Sequence, residues 1–111
     1  MVFNQIESVT NLLEKYYKKN DKKKEQKNFE KSLIVLYKLS EGSHSVSLYK
    51  LEKNIDLDRL EILDATKKAE RKELIKDCTT NMGSSKVDKE WILTNEGILY
   101  IEGLLDKINP S

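Results

Sequence analysis

The chain has 111 residues, enough for one domain with one modest core. Hydrophobic residues make up 38% and charged residues 35%, too apolar for an intrinsically disordered chain. No apolar run approaches the ~18–20 residues of a membrane-spanning helix. Net charge is +1, which excludes a uniformly cationic nucleic-acid binder, but the charge is unevenly spread. Residues 1–28 hold seven Lys against four acids, residues 29–78 hold ten bases and ten acids, and residues 79–111 hold three bases and five acids.

Asn4 to Lys19 reads as an amphipathic helix, with Ile6, Val9, Leu13 and Tyr16 on one stripe and Leu12 and Tyr17 beside it. Residues 18–27 contain no apolar side chain and form either a linker or a solvated stretch joining two helices. Phe29 restarts the pattern, with Leu33, Leu36 and Tyr37 on one face, and Gly42 is the expected left-handed residue past that helix. The spacing divides the chain into an N-terminal helix and Lys-rich segment, 1–28, and a domain with its own terminal helix, 29–111. His44-Ser45-Val46 is long enough only for a strand stub. Ser47 then caps a short helix that stops near Asn54.

Asp58 and Glu61 have capping-box spacing, and Leu57 and Ile62 have the spacing of a hydrophobic staple, so a helix starts here and runs to about Lys72. Its expected inner face is Leu60, Ile62, Leu63, Thr66 and Ala69. Its expected outer face is Glu61, Asp64, Lys68, Arg71 and Lys72, with Lys67 at the margin, and Asp64 and Lys68 have the spacing of an i,i+4 ion pair. Leu74 to Cys78 and Val87 to Leu93 read as strands around a turn-rich stretch, with Trp91 and Leu93 on one face. Thr94 caps a last helix carrying Ile98, Ile101, Leu105 and Ile108.

Two short helices joined by a tight turn cannot bury their apolar faces alone; a preceding helix and a hairpin must close the core. The expected fold is therefore mainly α with a small β-hairpin: a winged helix-turn-helix with extra N- and C-terminal helices. Leu93, Thr94 and Gly97, behind a turn-rich gap, form a Leu-Thr-x-x-Gly ending that resembles small winged-helix transcription regulators. The MarR-like and PadR-like regulators and small archaeal and viral winged-helix proteins commonly end this way. The resemblance covers roughly 29–105 and implies that 57–72 is the recognition helix and 78–87 the wing.

On that reading the partner is double-stranded DNA and the role transcription regulation. Lys67, Lys68, Arg71, Lys72 and Lys86 are candidate phosphate ligands, Ser84 and Ser85 candidate wing contacts, and Ser47, Arg59 and Lys68 candidate specificity residues. An equally ordinary account makes 81–86 a solvated hairpin tip. The acids Glu61 and Asp64 argue for the alternative, a winged-helix adaptor that binds a protein and no DNA. The stripes Ile6, Val9, Leu13, Tyr16 and Ile101, Leu105, Ile108 either pack together within one chain or pair two chains, and the resemblance favours a homodimer. The five tyrosines are expected mostly in the core.

No catalytic constellation, phosphate loop or metal-ligand spacing is present, since Cys78 and His44 are single, so neither an enzyme nor a cofactor is expected. The lone cysteine and the absence of a signal-peptide pattern at Met1-Val2-Phe3-Asn4 point to the cytoplasm.

Overall fold

A computed structural model describes residues 2–41, 44–79 and 89–108, with side chains from residue 11 onward. The described elements are α1 (Val2–Lys19), α2 (Lys24–Ser40), β1 (Val46–Ser47), α3 (Leu48–Asn54), α4 (Arg59–Arg71), β2 (Ile75–Asp77), β3 (Glu90–Leu93) and α5 (Asn95–Ile108). The molecule is mainly helical with a small three-stranded antiparallel sheet, order β1-β3-β2. No described helix is long and apolar enough to cross a membrane.

Local chemistry sets several boundaries. The Ser47 side chain accepts from the Lys50 amide at 3.1 Å and starts α3. Asp58 and Glu61 form the full capping box at α4: Asp58 Oδ1 accepts from the Glu61 amide at 2.8 Å, and Glu61 Oε1 accepts from the Asp58 amide at 3.0 Å. One boundary departs from expectation. Helix α2 begins at Lys24, inside the Lys-rich stretch and ahead of the boundary at 28/29. Glu41, the C-cap of α2, is left-handed with φ 45°, and Gly42, where that conformation was expected, lies outside the described residues.

Trp91, on central strand β3, is fully buried and pairs with Val46 of β1 on one side and Asp77 of β2 on the other. Its indole Nε1 donates to Glu70 Oε1 of α4 at 2.7 Å, so the largest core side chain is not left with an unmet donor. The Leu-Thr-x-x-Gly ending has a mechanical reason here. Thr94 Oγ1 accepts from the Gly97 amide at 3.0 Å and directs its own proton at the carbonyls of Glu73 and Leu74. A Cβ on residue 97 would collide with the Leu74 carbonyl oxygen, so only glycine lets α5 start this close to the α4–β2 turn.

The core is continuous across the chain. Leu13 and Tyr17 of α1 share it with Phe29, Leu33 and Leu36 of α2, Ile62 of α4, Trp91, and Ile101 and Ile108 of α5. The terminal stripes were expected either to pack within one chain or to pair two chains, and their described side chains take part in this core. Leu13, Ile101 and Ile108 are buried within the chain, and Tyr16 and Leu105 pack against the same core. The side chains of Ile6 and Val9 lie outside the described residues. The tyrosines divide: Tyr17 is buried and Tyr16 and Tyr37 pack against the core, as expected of most of them, while Tyr49 and Tyr100 are exposed.

Candidate nucleic-acid interface

Helix α4 buries Ile62, Ala65, Thr66 and Ala69. Leu60 was expected among them and is instead 73% exposed. At 3.6 residues per turn it sits about 200° around the helix from Ile62, so the face that buries Ile62 turns Leu60 outward. The exposed row of α4 is Leu60, Asp64, Lys67 and Arg71, spaced i, i+4, i+7, i+11, with Lys72 exposed at its end.

The neighbouring α2 claims two residues expected on that outer row. Glu61 is half-buried, with Oε2 3.4 Å from Lys24 Nζ and 3.4 Å from Asn28 Nδ2. These contacts, led by the Asp58 amide, hold its carboxyl below the usual glutamate range. Lys68 leans the same way. Its Nζ donates to Gln26 Oε1 at 3.1 Å and stands 4.7 Å from the centre of the Phe29 ring. The Asp64–Lys68 ion pair is therefore not formed. Between α2 and α4 runs an open groove of about 430 Å³ lined by Lys24, Asn28, Glu61, Asp64, Lys67 and Arg71 among others.

Behind Lys68 lies a buried hub that the spacing did not reveal. Glu30 is 2% exposed. Its Oε1 accepts from Tyr17 Oη at 2.7 Å, and its Oε2 accepts from Gln26 Nε2 at 2.9 Å and Lys22 Nζ at 3.0 Å. Burial alone would raise the Glu30 carboxyl, but these three donors outweigh it and hold it below the usual range. Burial, then the Glu30 hydrogen bond, pushes the Tyr17 phenol far above its ordinary value. Gln26 thus links α4, through Lys68, to the carboxylate that anchors α1. A glutamate next to a buried phenylalanine looks like any helix surface position, because its three donors come from residues 4, 8 and 13 positions away.

The nine residues expected at a DNA surface separate by what holds them. Ser47 is occupied as the α3 cap. Arg59 Nε donates to Glu52 Oε1 at 2.8 Å and braces α3 against α4. Lys68 is held by Gln26. Lys67, Arg71 and Lys72 are exposed and make no ion pair or side-chain hydrogen bond among the described residues. Ser84, Ser85 and Lys86 lie outside the described residues. Ser47, Arg59 and Lys68 are thus each engaged by groups of their own chain.

Comparison with known proteins finds no matching family model, no matching curated protein and no matching solved structure.

Proposed function

We propose that the chain is a cytoplasmic, non-enzymatic transcription regulator of winged-helix type that binds double-stranded DNA through α4. The element order supports the fold reading: α2, a strand stub, α3 and α4 as the helix-turn-helix, then the antiparallel pair β2 and β3, and α5. The observation that carries the function is the outward face of α4. Its last two turns present Lys67, Arg71 and Lys72 with no partner among the described residues. They stand on the second helix of the pair, the one that enters the major groove in this class of fold. Exposed cations at the end of this helix suit phosphates along a groove wall. The homodimer that the resemblance favours is compatible with this reading but not required by it, since the described side chains of the terminal stripes pack on the chain's own core.

The rival reading, an adaptor that binds a protein, is favoured by exposed Leu60 and Asp64 on the same face. Fluorescence anisotropy against a random-sequence duplex, titrated across salt, separates the two. Binding at low salt should weaken steeply as salt rises, and Lys67→Ala and Arg71→Ala should each flatten the log–log salt slope by about 1. Absence of binding at the lowest salt, with a stoichiometric protein co-purifying, would select the adaptor.

A further inference from the structure

The exposed row of α4 contains a carboxylate that nothing in the fold accounts for. Among the acids of this helix, Glu61 closes the capping box and meets Lys24, and Glu70 accepts from Trp91. Asp64 has no hydrogen bond or ion pair among the described residues. Its i+4 neighbour Lys68 is turned toward Gln26. It also lies past the first turn, where the helix dipole no longer rewards an acid. One turn earlier stands Leu60, 73% exposed.

We propose that Leu60 and Asp64 are the specificity-determining pair of α4: Asp64 accepts a hydrogen bond from the exocyclic amino group of a cytosine, and Leu60 packs on the methyl of a thymine. This rests on the DNA-binding reading above. A carboxylate is an acceptor only, so in the major groove it pairs with a donor, and only the amino groups of cytosine and adenine supply one. Adenine places its N7 acceptor beside that donor and repels a carboxylate, which leaves cytosine. Leu60 has no polar atom, and the thymine methyl is the apolar feature of that groove. The two side chains lie about 6 Å apart along the helix axis, which matches about two base steps. Residues nearer the N-terminus of a groove-bound helix are the ones that reach base edges. Lys67 and Arg71, three and seven residues beyond Asp64, hold phosphates and offset the repulsion that a lone carboxylate meets there.

The test is selection from a duplex library with a randomised centre, at one fixed low salt concentration. The proteins are wild type, Asp64→Ala, Asp64→Asn and Leu60→Ala, with circular dichroism confirming that each is folded. Wild type should enrich a cytosine and, within about two base pairs, a thymine. Asp64→Ala should lose discrimination at the cytosine by about tenfold or more, so that the four bases at that position are bound nearly alike. Asp64→Asn should move that position toward adenine, whose N6 and N7 an amide engages together. Leu60→Ala should relax the thymine alone. A site preference that all four proteins share overturns this pair and leaves DNA binding standing. If wild type retains no duplex, both readings fall, and Leu60 with Asp64 becomes a surface for a basic protein.

Discussion

Glu30 and Asp64 are both carboxylates on helices that pack against each other, and they meet opposite fates. Glu30 is buried and receives a phenol, an amide and an ammonium from three different residues. Asp64, on the neighbouring helix, is exposed and receives none among the described residues. The same division separates two adjacent lysines: Lys68 is drawn inward by Gln26 and Phe29, and Lys67 is left outside. A charge met by its own chain contributes to the fold; a charge left unmet on a continuous exposed row is available to a partner.

The largest expected effect is at the hub. Glu30→Ala leaves Tyr17, Gln26 and Lys22 without their common acceptor and should cost about 2–4 kcal/mol of stability, read from urea denaturation. Asp64→Ala should change stability by no more than about 0.5 kcal/mol. Equal losses from the two variants would show that the contrast in burial carries no energetic meaning.

Acid should expose the same difference. The folded Glu30 carboxyl is held below the ordinary range, so the unfolded chain takes up that proton first. The stabilisation from Glu30 is therefore full above the ordinary glutamate value near ~4.3 and is lost as the pH falls through the folded value. The urea midpoint of wild type should fall between neutral pH and about pH 3, and that of Glu30→Gln should fall less. Some slope should persist in the variant, because Glu61 and Asp77 are also held low: Glu61 first by the Asp58 amide, Asp77 by hydrogen bonds from Thr79.

The smallest effects sharpen the comparison between the lysines. Lys68→Ala should cost about 1 kcal/mol of stability, from the lost Gln26 hydrogen bond and the ring contact, with little change in salt slope for duplex binding. Lys67→Ala should leave the urea midpoint in place and lower the salt slope by about 1. A slope change at Lys68 equal to that at Lys67 would mean that Gln26 releases Lys68 when DNA arrives.

What the sequence determined by itself was the part of the structure written within three or four residues. Ser47, the Asp58–Glu61 box and Thr94 begin helices because each side chain caps an amide three positions ahead, and that geometry needs no distant partner. The two hairpin strands and the terminal helix follow from apolar alternation and 3.6-residue spacing in the same way. The tertiary structure decided the rest. Helix α2 extends back to Lys24 through residues with no apolar period, and Glu30 meets donors from α1 and the segment after it. The described side chains of the terminal stripes meet in one shared core, and only that assembly shows it. On α4, apolar and charged residues are found all round the helix, so spacing admits more than one inward face; packing on α2 selects the face of Ile62 and Ala69, turns Leu60 out and pulls Lys68 in. Caps are read from neighbours in the chain, whereas the direction a helix face points is set by contacts with residues some forty positions away, and those contacts leave no local mark.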